Sequence, residues 1–197
     1  MNSPLEPLKN HIDLSLQSLR VTTLIEKEEL TLYGALPHLE SIIHFLREDS
    51  TCWCRQLVDI CAVDYPERSP RFDAVYHFLS LSYNHRIRLI VGVEEGALVP
   101  SVGHFFRSAD WFEREVYDMF GIPFKNHTDL RRILTDYTFE GHPLRKDFPL
   151  TGFTEVHYCD TQERVMTRPV HLQDPLRDYT YDNSWLGSEK KAEGDNQ

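Results

Sequence analysis

No apolar run in these 197 residues approaches the roughly 20 residues that a membrane-crossing helix needs, and the longest lies around residues 89–93. Any association with a membrane is therefore expected to go through partners. Lys and Arg number 21 against 31 Asp and Glu, a formal charge of -10. Nucleic acids and anionic lipid surfaces are bound by clustered cations that displace counterions, so neither is an expected partner. The first sixteen residues carry Glu6 and Asp13 and contain neither an apolar signal core nor an Arg/Ser-rich, acid-poor presequence. The expectation is a protein made in the compartment where it works, or one numbered from its mature end.

Cysteine is also scarce. Cys52, Cys54, Cys61 and Cys159 include no CxxC, and the single CxC pair supplies half a ligand set for a metal or an iron-sulfur cluster. They read as small half-buried residues in or near a strand, and a chain of this length with a proper core has no need of a disulfide framework. GxGxxG opening a helix after a strand, the Walker A loop and the GxSxG elbow are all missing, so NAD, nucleoside triphosphates and serine hydrolysis have no seat. No His-x-x-x-His or His-Glu-x-x-His pair occurs either. A stand-alone metal-dependent hydrolase would have to gather His127, His142 and carboxylates from unconnected positions, which makes it the weaker alternative, beside a free adaptor protein.

What is present describes a folded protein. Hydrophobic residues make up 41% and charged residues 26%, ordinary globular values that exclude wholesale disorder and leave room for one domain plus an arm. Leu5, Leu8, Ile12, Leu16 and Leu19 recur at helical spacing over residues 5–20. Residues 29–33 form a short strand candidate. Pro37 then stands where a first-turn proline opens a helix through about residue 47, with Leu39, Ile42, Ile43 and Leu46 on one face. Residues 56–63, 72–83 and 86–93 have strand chemistry. In the last of these Ile87, Leu89, Val91 and Val93 alternate with Arg86, Arg88, Ile90 and Gly92. The link around Asn84 and His85 is short enough for an antiparallel hairpin. These elements predict an α+β fold with a mixed or antiparallel sheet of roughly four strands and helices on one face.

Residues 110–120 are the strongest helix. Asp110 and Glu113 have capping-box spacing, and Gly121 followed by Ile122 and Pro123 predicts a left-handed cap and a stop. Phe112, Val116, Met119 and Phe120 make the core stripe, while Arg114 and Asp118, one turn apart, are placed to pair. Beyond Gly121 apolar periodicity fades and prolines recur at 143, 149, 169 and 175. The chain accordingly divides into an α+β domain over 1–124 and an extended arm over 125–197, frayed from about residue 187. The stretch from Pro123 to the end is rich in aromatics (Phe124, Tyr137, Phe139, Phe148, Phe153, Tyr158, Tyr179, Tyr181, Trp185), which a disordered tail would lack, so another protein is expected to cover it. Charges of both signs, Glu113, Arg114, Glu115, Asp118, His127, Asp129, Arg131, Arg132, Asp136, His142, Arg145, Lys146 and Asp147, interleave with these aromatics as at a polar interface.

The run WFEREVYDMFGI over residues 111–122, followed by His127 and by DLRRIL over 129–134, closely resembles the E-R-E-x-x-D hallmark of the 30 kDa subunit of respiratory complex I, a family also known as the C subunit in bacteria and as subunit 9 in mitochondria. LTDY over 134–137 and FEGHPLRKDFP over 139–149 extend the likeness, which also reaches back through VDYP over 63–66 and Arg71-Phe72 and forward to about Trp185, most of the chain. Thr128 stands where the family usually has proline. Thr138 replaces a usual glycine, so a strained backbone is expected there if the position requires positive φ. Members similar to this chain from alphaproteobacteria and mitochondria look nearest. The resemblance implies a non-catalytic subunit of the peripheral arm of proton-pumping NADH:quinone oxidoreductase, with no cofactor of its own and no small-molecule substrate. FMN and the iron-sulfur clusters lie in other subunits, and the chief partner is the 49 kDa subunit. It implies contact with the membrane only through the complex, on the matrix side of a mitochondrial inner membrane or the cytoplasmic side of a bacterial plasma membrane. Glu113, Arg114, Glu115, Asp118, Gly121, His127, Asp129, Arg131, Arg132, Asp136, His142, Arg145 and Asp147 are expected to be structural or interfacial.

Overall fold

The computed structural model describes residues 4–172. Pro175, Tyr179, Tyr181, Trp185 and the expected frayed end lie outside the described residues.

Five strands form the main sheet: β1 (Thr22–Glu26), β2 (Glu29–Gly34), β3 (Gln56–Asp64), β4 (Phe72–Ser80) and β5 (His85–Val93), in the order β1-β2-β5-β4-β3. The additional strand, β1, pairs with β2 through a two-residue turn in which Lys27 and Glu28 both have positive φ. That is the backbone twist a tight hairpin needs, reached here without the glycine or asparagine that would have marked it. β4 and β5 form the expected antiparallel hairpin, and β3 pairs antiparallel with β4. β2 and β5 run parallel, which is possible because helix α2 and strands β3 and β4 intervene.

Alternate residues point to one face and make the core. Leu30 and Leu32 of β2, Ile87, Leu89 and Val91 of β5, Ala74, Tyr76 and Phe78 of β4, and Ile60 of β3 are buried there. Helices cover this face. α1 (Glu6–Ser15) buries Leu8 and Ile12 and is tied to β1 by the Thr23 hydroxyl donating to Asp13. α2 (Leu39–Glu48) buries the four apolar residues read from its sequence; its Ile42 packs so closely on Gly34 that a β-carbon there would sit 2.7 Å from Ile42 Cδ1. α3 (Ala109–Phe120) packs along β3. The helix predicted over 5–20 stops at Ser15 and continues as a 3-10 turn, Gln17–Leu19, closed by Arg20 in the left-handed region. Short parallel strands β6 (Val99–Pro100) and β7 (Phe124–Lys125) join the chain before α3 to the chain after it.

Cys52 and Cys54 are fully buried in the turn before β3, where the Asp49 carboxylate accepts the Thr51 and Cys52 amides. Burial pushes the Cys54 thiol up to about 12, so it stays protonated and unreactive. Cys61 and Cys159 are half-buried.

Two compact units divide the chain, Met1–Gly152 and Phe153–Gln197. The division falls later than the residue 124/125 boundary read from the sequence, because residues 125–152 belong to the first unit. In the second unit β8 (Thr154–Cys159) and β9 (Arg164–Pro169) form an antiparallel hairpin. No helix among the described residues is long and apolar enough to cross a membrane.

The one-sided core gives a direct test. Ile42→Ala removes a fully buried side chain and should lower the unfolding free energy by about 2–5 kcal/mol in urea denaturation. Leu14→Ala, at a position 77% exposed, should change it little, and equal losses would contradict this packing.

Candidate functional site

The charged residues singled out in the sequence converge on the C-terminal half of α3 and on the loop that follows. Gly121 has φ 74°, the left-handed cap its sequence context predicts, and its amide returns to the Tyr117 carbonyl at 2.8 Å. The last three carbonyls of the helix have no partner within it. Residues twenty or more positions on take all of them. The Asp118 carbonyl meets His142 Nδ1 at 2.9 Å, the Met119 carbonyl accepts the Leu144 amide at 3.1 Å, and the Phe120 carbonyl accepts Arg145 Nε at 2.6 Å. Arg145 also places a cation at the negative end of the helix dipole. Only glycine fits at 121, since a β-carbon would lie 2.5 Å from His142 Nε2 and 2.6 Å from Arg145 Nη2.

Asp118 holds the loop itself. Its carboxylate, with a side-chain exposure of 0%, accepts the amides of Ile133, Leu134 and Thr135 on Oδ2 at 2.8–3.0 Å. On Oδ1 it accepts Arg132 Nη1 at 2.7 Å and the Thr135 hydroxyl. Burial works against the charge, but the Thr135 hydroxyl and amide, the Leu134 amide and the Arg132 guanidinium outweigh it and hold the carboxyl well below the usual carboxylate range. Arg132 reaches on to the Gly141 carbonyl at 3.1 Å. The expected pair of Arg114 with Asp118 does not form. Arg114 instead donates to the carbonyls of Arg131 and Arg132, both at 3.0 Å, because Asp118 turns inward and is saturated by the loop.

A second buried carboxylate ties down the far end. Asp64, the last residue of β3, accepts both Nε and Nη2 of Arg71 at 2.8 and 3.0 Å and the Lys146 amide at 2.8 Å. The fork from Arg71 holds its carboxyl below the ordinary range despite burial. Arg71 also reaches Glu95 at 3.1 Å and Asp147 at 3.0 Å, and Arg145 reaches Glu95 at 2.7 Å. Asp64, Arg71, Glu95 and Thr135 are absent from the site residues expected from sequence. Asp64 does carry a signal, since it stands on the inward parity of β3 with Ile60 and Ala62, where an acid must find a partner.

Glu113 forms no capping box. α3 begins at Ala109 with no side-chain cap, and Glu113 points into the protein to accept the Val102 amide at 2.7 Å. Its side chain is completely buried and burial raises its pKa. His127 Nε2 lies 3.8 Å from Glu113 Oε2. The ring of His127 uses both nitrogens, Nε2 on the Asp110 carbonyl and Nδ1 accepting the Asp129 amide, each at 3.0 Å. That assigns the proton to Nε2. Asp129 and Arg131 pair on the surface at 2.9 Å, while Glu115 and Asp136 are exposed. Thr138 is not among the residues with positive φ, so the expected strain is absent; it sits in the turn closed by the Phe139 amide on the Asp136 carbonyl. No group of three or more His, Cys, Asp or Glu among the described residues is placed to hold a metal ion.

The buried aspartates can be tested by mutation and by pH. Asp118→Ala strands a guanidinium and three amides, a loss of about 3–5 kcal/mol. It should appear as local opening: faster hydrogen exchange at the Ile133, Leu134 and Thr135 amides, and protease cuts within 127–148 ahead of global unfolding. Asp64 and Asp118 both bind protons less readily in the folded than in the unfolded chain. Their contribution is complete above the unfolded carboxylate pKa near about 3.9 and is lost as pH falls through their lower folded values. Urea midpoints measured downward from pH 6 should therefore drop below about pH 4, and drop less steeply for Asp118→Asn, which has no charge to lose.

Comparison with known proteins places this arrangement in a family. Residues 35–154 match the model of the respiratory-chain NADH dehydrogenase 30 kDa subunit, a span that holds both buried aspartates and the loop between them. The C subunit of NADH-quinone oxidoreductase from Dinoroseobacter shibae is 49% identical over 99% of this chain and 91% of its own length. That of Ruegeria pomeroyi is 48% identical over 99% and 98%, and that of Ruegeria sp. (strain TM1040) 54% identical over 80% and 79%. A chain from the structure of the membrane-bound sulfane sulfur reductase, an archaeal respiratory membrane complex, has the same fold, with a TM-score of 0.62 at 21% identity over 74% of this chain and 87% of that one. The chain belongs to the respiratory-chain NADH dehydrogenase 30 kDa subunit family.

Proposed function

We propose that this chain is the 30 kDa-type subunit of a proton-translocating NADH:quinone oxidoreductase, part of its peripheral arm, where it supports assembly of the quinone-reducing module. The observation that carries the reading is the two-way coverage: likeness to NADH-quinone oxidoreductase subunits of this type spans 99% of this chain and 91–98% of theirs. The signature charges act in structure and docking. Carboxylates and guanidinium groups carry no electrons, and the NADH, FMN, iron-sulfur and quinone chemistry belongs to other subunits. The 49 kDa subunit is the chief partner, and contact with the membrane is made through the complex. Bacterial relatives favour the cytoplasmic face of a bacterial plasma membrane over the matrix side of a mitochondrial one. A stand-alone metal-dependent hydrolase has no support, since both ring nitrogens of His127 are committed and Nδ1 of His142 faces a helix carbonyl.

Native fractionation tests the reading. The tagged chain should comigrate with NADH:quinone activity in a large complex. Arg132→Ala or Arg145→Ala should reduce the amount of complex on native gels while turnover per assembled complex stays normal. A normal amount of complex with abolished turnover would instead place these residues in quinone chemistry or its coupling.

A further inference from the structure

Three large side chains of the first unit, Trp111, Leu134 and Tyr137, are 65%, 63% and 76% exposed beside the buried network. Each stands on backbone that other residues hold. Trp111 lies on the outer side of α3, its ring centroid 5.5 Å from the guanidinium of Arg114, which is itself fixed to the loop carbonyls of Arg131 and Arg132. The Leu134 amide is bound to buried Asp118. Tyr137 occupies the turn closed by the Phe139 amide on the Asp136 carbonyl.

We propose that this face, the solvent side of α3 with the loop over residues 131–140, is a docking surface for a partner protein that presents an apolar pocket rimmed by Lys and Arg. The proposal rests on the reading of the chain as a component of a larger complex. Trp, Tyr and Arg are the residues that dominate binding energy at protein interfaces. Side chains on a pinned backbone lose little further freedom when covered. The rim fixes the charge of the partner. Glu115, one turn from Trp111 on the same helix face, and Asp136 and Glu140 on the loop are exposed, and no ion pair is formed by any of them among the described residues. Of the cations in the patch, Arg131 is occupied by Asp129 at 2.9 Å and Arg132 by buried Asp118 at 2.7 Å, while Arg114 is held on the carbonyls of Arg131 and Arg132, so the three unpaired acids outnumber the one cation without a carboxylate partner. An acidic rim in a chain of net charge -10 is complementary to a basic one and repels a membrane of anionic lipid. A second copy is disfavoured on the same ground, because a two-fold contact would set the acidic rims against each other.

The test is hydroxyl-radical footprinting of the free chain and of the purified complex that contains it. Trp111 and Tyr137 should be oxidised readily in the free chain and protected several-fold in the complex. Trp111→Ala with Tyr137→Ala should weaken retention of the chain about 30-fold without moving its thermal midpoint, the loss of a single binding hot spot. Reversing the rim with Glu115→Lys, Asp136→Lys and Glu140→Lys should also release the chain. Equal oxidation in the free and assembled states overturns the docking surface while leaving the proposed function intact. Failure of the unaltered chain to comigrate with any complex overturns that function and this surface with it. A free chain that sediments as a dimer with Trp111 already protected assigns the face to self-association and also overturns the proposal.

Discussion

One carboxylate with five donors organises the family signature. Asp118 sits where solvent cannot reach it and receives three consecutive amides, a hydroxyl and a guanidinium. A buried charge is costly when unpaired, so the loop cannot leave without exposing that charge to an apolar environment or opening a path for water. The dependence is mutual. Residues 131–135 form no strand or helix, and the amides of Ile133, Leu134 and Thr135 would be orphaned without this acceptor. From there the chain turns back to take the three free carbonyls of α3, a return that the close approach to Gly121 makes possible. The second aspartate, Asp64, then fixes residues 145–147 to the end of β3. Polar anchoring at two points does for this segment what an apolar face does for a helix.

That division of labour explains what the sequence can tell. Elements held by an apolar stripe are legible: α2 from Leu39, Ile42, Ile43 and Leu46, β5 from its alternation, and the end of α3 from Gly121. β1 escapes such a reading because its turn lacks glycine and its residues, Thr22 to Glu26, include two threonines and a glutamate with little alternation to mark an inward face. The loop after α3 reads as part of the arm because apolar periodicity stops there. The forces that hold it to the first unit are hydrogen bonds to buried acids, which leave no period in the sequence.

The charges show the same limit. Spacing on a helix places Arg114 one turn from Asp118, and local pairing is the natural expectation. Burial decides otherwise: Asp118 faces inward, where five donors from residues 132–135 compete with one exposed cation, and desolvated bonds are the stronger ones. Glu113 fails as a cap for a similar reason. Its position in the first turn suits a capping box, but α3 begins without one and the side chain satisfies the Val102 amide of the preceding loop. In both cases the residue type is informative and the partner is not, since the partner lies eleven or more residues away.

A buried ionic network is a weak source of net stability, because apolar residues of the same volume often serve as well or better. What it supplies is a defined arrangement. An apolar plug could seat the loop in several registers, whereas three successive amides on one oxygen and a guanidinium on the other admit a single one. Asp118 is also a poor proton donor or acceptor at neutral pH, since the same bonds hold it ionised far below the range useful for acid-base catalysis. In the proposed assembly, a segment so constrained docks already ordered. The ordering that a disordered loop would undergo at the moment of docking is completed during folding, and the free energy of contact goes into affinity.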